Sequence, residues 1–191
     1  MVNEALIDVA ACVGTDALLG SPMGEEHFPL LLAAILRYPP TSVVYLSFRG
    51  ITNITASYIA TTIVRLLRMI PAGSLDRYLI IGDVNEDYER EIAYVLNHEN
   101  IPILLRPMTG ELRVIGPLDN AYATTLKAVT TRGTVTAREL QAASKETIGQ
   151  TGWVKRLTTL HTLGLVKRTK TGREYAYQPI ITENTTWVKN S

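Results

Sequence analysis

Trp153-Val154-Lys155-Arg156-Leu157-Thr158-Thr159-Leu160-His161-Thr162-Leu163-Gly164-Leu165-Val166-Lys167-Arg168 is the stretch on which the reading of this chain turns. It predicts a helix over roughly Gly152 to Leu163, stopped by Gly164, because glycine takes the left-handed conformation that ends helices. Leu165-Val166-Lys167-Arg168 then alternates like a strand. At about 100° per residue, Trp153, Val154, Leu157, Leu160 and His161 share one face, which is the expected core. The opposite face carries Thr151, Lys155, Thr159 and Thr162, with Arg156 and Thr158 on its flanks. That face is basic and rich in hydroxyls, and it holds no acid. His161 reads as a satisfied core-edge residue, the alternative being a ligand.

Outward from this helix the pattern extends in both directions. Ala121–Val129 reads as a helix closed by Arg132-Gly133. Thr136 reads as the N-cap of a helix from Ala137, with Glu139 three residues on, as a capping box requires. Ser144 to Gln150 reads as a turn. Tyr175-Ala176-Tyr177 reads as a second short strand, with Thr169–Glu174 as a hairpin tip. Three helices followed by a basic-tipped hairpin is the layout of a winged helix. The 153–168 segment resembles the recognition-helix-to-wing segment of winged-helix transcription factors, and the resemblance covers residues 120–178. It implies binding to double-stranded DNA, with Thr151, Lys155, Arg156, Thr158 and Thr159 toward the major groove. Arg168, Lys170 and Arg173 would place the wing over backbone or minor groove. It also implies a homodimer matched to a two-fold operator. Gly149 and Gly152 sit against this pattern, each costing about 1 kcal/mol relative to alanine inside a helix. A winged helix that binds only proteins is the alternative.

The charge divides along the chain. Residues 1–118 carry eight Arg and no Lys against thirteen Asp and Glu, a net of −5. Residues 119–191 carry eleven Lys and Arg against five Asp and Glu, a net of +6. Every lysine lies in the second part. A basic unit suits a polyanion, and the acidic one would be repelled by it.

Before Gly116-Pro117, where the boundary is expected, strands and helices alternate. Residues 5–13, Val43–Phe48, Tyr78–Ile81, Ile101–Leu105 and Leu112–Ile115 read as strands. Helices are expected from Gly24 to about Arg37, from near Thr55 to Ile70, and from Asp83 to about His98. The second has a stripe at Ile59, Ile63, Leu66, Leu67 and Ile70. Such alternation gives an α/β unit with a mostly parallel sheet. Val43–Phe48 followed by Arg49-Gly50-Ile51-Thr52-Asn53-Ile54-Thr55-Ala56-Ser57-Tyr58 resembles the strand-turn-helix of STAS domains, the fold of anti-sigma-factor antagonists. It more narrowly resembles a STAS-like family of uncharacterised bacterial proteins, to whose helix start Gly24-Glu25-Glu26 corresponds. This resemblance covers roughly residues 5–115 and implies a STAS-like α/β sandwich domain over 1–117; with the winged-helix resemblance, the expected division is 1–117, a winged helix over 118–180 and a tail over 181–191. The STAS-like resemblance implies Ser57 as a phosphoacceptor for a regulatory kinase or ATPase partner. Thr55 stands where that family has an aspartate, and Ala56 where it has another serine. The competing reading makes Thr55 an N-cap and Ser57 a polar first-turn residue.

No phosphate-binding glycine loop, dinucleotide fingerprint or nucleophile elbow is present. No catalytic residues, cofactor or metal ligands are expected. His27, His98 and His161 lack ligand spacing. Asp83-Val84-Asn85-Glu86-Asp87 starts like a calcium loop, but Tyr88 and Tyr94 fall where glycine and glutamate are needed. The lone cysteine, Cys12, has no disulfide partner in the chain. No signal segment opens the sequence and its longest apolar run is Leu30–Leu36, so a cytoplasmic protein without a membrane span is expected. A DNA-binding regulator is the leading reading and a protein-interaction switch the second. A ligand-gated sensor is a third class, and it requires a pocket that sequence does not reveal.

Overall fold

The computed structural model describes residues 4–109, 111–181 and 188–189. The chain forms two units, one comprising Met1–Pro117 with Thr185–Ser191, the other Leu118–Asn184. Both combine helices with sheet. In the first, a mixed sheet of parallel strands with one antiparallel neighbour carries its helices between strands.

The first unit runs β1 (Glu4–Asp8), α1 (Val9–Val13), β2 (Ala17–Leu18), α2 (Gly20–Leu36), β3 (Val43–Ser47), β4 (Asn53–Ile54) and α3 (Ala56–Ile59). A π-helical turn, Ala60–Val64, leads into α4 (Arg65–Met69). Then come β5 (Tyr78–Val84), α5 (Glu86–Glu99), β6 (Ile103–Pro107) and β7 (Arg113–Ile115). The strands β1, β3, β5 and β6 lie side by side in chain order and parallel, and β7 pairs antiparallel with β6. Crossovers between adjacent parallel strands, all of one hand, place their helices on a common face. The main core is built there, from Ile7, Val44, Leu46, Leu79, Ile81 and Leu105 on the strands and Leu31, Ile35, Ile59, Ile63 and Leu66 on the helices. Val43, Tyr45 and Ile80, on the alternate positions, are buried as well. Two-sided burial explains why these strands read as unbroken apolar runs.

Several expected boundaries shift. Residues 9–13, expected to continue the first strand, are helical, because the Asp8 carboxylate accepts from Ala11 N–H at 3.0 Å and caps a helix there. The helix expected from Gly24 begins four residues earlier, at Gly20, and takes in Pro22 as well. At Gly24 a Cβ would stand 1.9 Å from Thr61 Oγ1, so this glycine serves the close crossing of α2 over the π turn. Asp83 and Val84 belong to β5, and α5 is capped by Asn85, whose side chain accepts from Tyr88 N–H at 2.9 Å. The strand expected at Ile101 starts at Ile103. The small parallel pair β2–β4 has no counterpart in the sequence reading.

The second unit runs α6 (Asn120–Arg132), β8 (Val135–Thr136), α7 (Ala137–Ala143), α8 (Gln150–Thr162), β9 (Val166–Thr171) and β10 (Glu174–Pro179). Its sheet is antiparallel in the order β8-β10-β9. The capping box at Thr136 and Glu139 is formed in both directions. Gly172, at φ +62°, occupies the first central position of the two-residue β9–β10 turn, where a type II′ turn requires positive φ. Of the expected tail over 181–191, Val188–Lys189 forms β11, which pairs parallel with β1 at the sheet edge of the first unit. Residues 182–187, 190 and 191 lie outside the described residues. No helix among the described residues is long and apolar enough to cross a membrane.

Two predictions follow from this packing. The Tyr45 ring lies over Gly82, where a Cβ would stand 1.8 Å from the ring. Gly82→Ala therefore destabilises by about 1–3 kcal/mol, the usual cost of overpacking. Adding Tyr45→Ala costs less in the Gly82→Ala background than in the wild type, a coupling that urea denaturation of the four proteins measures. His27 is buried on α2 with its Nδ1 3.1 Å from Tyr58 Oη, and burial lowers its pKa from 6.5. The unfolded chain then binds the proton more readily, so this contribution is complete above pH 6.5 and is lost as pH falls below it. In His27→Gln the corresponding slope of stability against pH, measured between pH 7.5 and 5, is shallower.

Candidate nucleic-acid interface

The geometry of the second unit is set by one buried stripe. Trp153, Leu157 and Leu160 of α8 are buried with Val129 of α6, Leu140 of α7 and Val166 and Tyr177 of the hairpin. One stripe at helical spacing holds α8 to the rest of the unit, which leaves its opposite side to solvent. Val154 was expected in the core and is instead 43% exposed. It lies about a quarter turn from the centre of the stripe formed by Trp153, Leu157 and Leu160. His161 stays at the core edge, its Nδ1 3.2 Å from Val166 O.

Thr151, Lys155 and Thr162 are exposed, on one side of α8 with Val154, and Thr159 is half-buried. No acid lies on α8. The two residues expected on the flanks are otherwise engaged. Arg156 forms an ion pair with Glu146 at 2.7 Å, and its guanidinium lies 5.1 Å from the Trp153 ring centre. Its side chain is 17% exposed, so it fastens the turn between α7 and α8 and is not free for a ligand. Thr158 Oγ1 lies 3.2 Å from Tyr177 Oη and ties α8 to the hairpin. The solvent-facing group therefore reduces to Thr151, Val154, Lys155 and Thr162, with Thr159 at its margin.

The hairpin brings its own cations. Arg168 pairs in register with Tyr177, and Lys170 with Tyr175. Directly opposed residues share a sheet face, so Arg168, Lys170, Tyr175 and Tyr177 lie on one side. Tyr177, at the base, is the residue that meets α8, so the same hairpin face continues outward as Arg168, Tyr175 and Lys170. The Arg168 guanidinium stacks 4.5 Å from the Tyr175 ring centre, and Tyr175 is 46% exposed. Arg173 is exposed in the turn. Lys155, Arg168, Lys170 and Arg173 form no ion pair among the described residues, so their charge is available to an anion. Exposed Val154 carried no sequence signal as a surface residue, since valine at that spacing reads as core.

In the first unit, Thr55 is the N-cap of α3, and its side chain accepts from Tyr58 N–H at 3.4 Å and from Gly20 N–H at 2.9 Å. Ser57 is exposed, with its Oγ 3.3 Å from Thr55 Oγ1. The adjoining Ala56 N–H already donates to Glu91 Oε1 at 3.0 Å. A phosphate on Ser57 would stand next to that carboxylate, where like charges repel. Asp83 has φ +59°, accepts from Ser47 Oγ at 2.6 Å and pairs with Arg49 at 3.5 Å. Tyr45 is pushed up to about 12 by burial and by the charge of Asp83. Among the described residues no cluster of His, Cys, Asp and Glu could hold a metal ion.

Stability separates the two basic residues that neighbour each other on α8. Arg156→Ala destabilises the unit by about 1–2 kcal/mol through loss of the ion pair and the ring contact. Lys155→Ala stays within about 0.5 kcal/mol, as a solvent-facing substitution should. Thermal unfolding followed by circular dichroism distinguishes them; equal losses would show that Lys155 too is structural.

Neither a protein-family model, nor a curated protein, nor a solved structure matches the chain.

Proposed function

We propose that the protein is a DNA-binding transcriptional regulator whose second unit is a winged helix. In this reading α8 enters the major groove and the β9–β10 hairpin is the wing. The observation that carries it is the alignment of unpaired cations on an acid-free surface. Lys155 stands between the hydroxyls of Thr151 and Thr162 on α8, and Arg168 and Lys170 extend along the hairpin face that α8 touches at its base. Such a surface offers donors to phosphates and base edges and no charge that repels them. Val154 adds an apolar contact suited to a thymine methyl group. Arg156 and Thr158 leave the set of contacts to DNA, since both serve the unit's own packing. The surplus of +6 in residues 119–191 supplies long-range attraction to the polyanion.

The first unit, STAS-like by sequence resemblance, would dimerise the protein or receive a signal. A homodimer would match a two-fold operator with half-sites about one helical turn apart. The protein-switch reading through phosphorylated Ser57 is less favoured, because Glu91 already occupies the adjoining amide.

Fluorescence anisotropy with duplex DNA from upstream of the protein's own coding sequence tests the proposal. Binding is expected to weaken steeply with added salt, with a log–log slope of about −0.9 per phosphate neutralised. Lys155→Ala should weaken it about fivefold or more, and Arg168→Ala with Lys170→Ala should flatten the salt slope. Affinity no better than for a scrambled duplex, at low salt and in all variants, would overturn the reading.

A further inference from the structure

A cavity of about 480 Å³ opens in the first unit, between β1, α1 and the C-terminal half of α2. Its size lies within the range of small-molecule sites, about 300–1,000 Å³. Leu6 and Ile7 of β1, Ala11 of α1 and Leu30, Ala33 and Ala34 of α2 give it apolar walls. Leu30 is 48% exposed, although it is a large aliphatic side chain beside a well-packed core. The polar groups on the lining are few: Asp8, Cys12, Arg37 and Tyr38.

Arg37 distinguishes this cavity from an ordinary surface depression. The first unit is acidic, and nearly every arginine in it is engaged. Arg49, Arg65, Arg68, Arg90 and Arg113 pair with Asp83, Glu25, Glu99, Asp87 and Glu89. Arg77 donates to the carbonyl of Tyr38 at 2.7 Å, which fixes the chain at the end of the cavity. Arg37 and Arg106 have no such partner among the described residues, and of these two only Arg37 lines the cavity. Burial pushes the Cys12 thiol up, the Arg37 guanidinium pulls against that shift, and the Asp8 carboxylate adds to it. The remaining acid, Asp8, is committed to the α1 N-terminus through Ala11 N–H.

We infer that this cavity binds a small monocarboxylate with an apolar body, its carboxylate on Arg37 and its hydrocarbon against Leu6, Leu30, Ala33 and Ala34. One unpaired guanidinium at an apolar wall selects a single anionic group, through charge-assisted hydrogen bonds of fixed fork geometry. A dianion would set its second charge near the Asp8 carboxylate, and an amine would face Arg37. A neutral hydrocarbon would leave the guanidinium unused.

Cys12, the sole cysteine of the chain, lines the cavity and reports on its occupancy. The experiment follows alkylation of Cys12 by iodoacetamide in the full-length protein, read by mass spectrometry, with octanoate or octylamine as probe. Octanoate at several times its Kd should slow the reaction about fivefold in a saturable manner, as mass action requires. Octylamine should do so much less. Arg37→Ala, a change at an exposed site, should raise the half-protecting octanoate concentration about tenfold, the loss of one charged hydrogen-bonding pair. Calorimetric titration of Cys12→Ser with octanoate repeats the measurement without the thiol. Absence of both protection and heat below the micellar range would overturn the inference, as would equal protection by octylamine or an unchanged response in Arg37→Ala. DNA is absent from these measurements, so their failure and that of the DNA-binding reading are separable.

Discussion

Burial of β3 and β5 on both faces is the constraint from which the first unit is built. A strand whose two faces are both dry must be paired on both edges, because an unpaired backbone group away from water costs more than any side chain there returns. The register across β1, β3, β5 and β6 meets that need, and the helices return over the sheet because each crossover joins neighbouring strands. The close approach of Tyr45 to Gly82 and of α2 to the π turn at Gly24 belong to the same economy of space. Each glycine there is a position where a methyl group has no room.

The second unit obeys a different rule. It is small, and a single stripe on α8 supplies much of its core, so side chains at the margin of that stripe are drawn into structural work. Arg156 illustrates this. Charge and spacing make it a candidate for DNA, yet Glu146 and the Trp153 ring hold it against the turn that precedes the helix. Thr158 is diverted in the same way by Tyr177. The candidate interface is what remains after folding has taken the side chains it needs. It is smaller than the full polar face of the helix, and of that face's two cations it keeps Lys155.

The two units divide the chemistry of the chain. The acidic one neutralises most of its arginines internally and keeps one beside an apolar cavity. The basic one leaves Lys155, Arg168, Lys170 and Arg173 outside any ion pair among the described residues.

Local chemistry determined much of this from sequence alone. Thr136 with Glu139 and the apolar stripe of α8 specify cap and helix through atoms a few residues apart, and both are present in the structure, while the hairpin tip expected over Thr169–Glu174 narrows to Gly172 and Arg173. The alternation of strands and helices, and the charge division, were legible for the same reason. Tertiary structure alone decided what depends on distant partners. Gly24 packs without a side chain because Thr61, distant in sequence, passes beside it. Whether Val154, Arg156 or Thr158 faces solvent depends on where the hairpin and the preceding turn lie. The cavity at Arg37 needs β1, α1 and α2 to converge, and no spacing along the chain encodes the meeting of side chains as far apart as Leu6 and Tyr38.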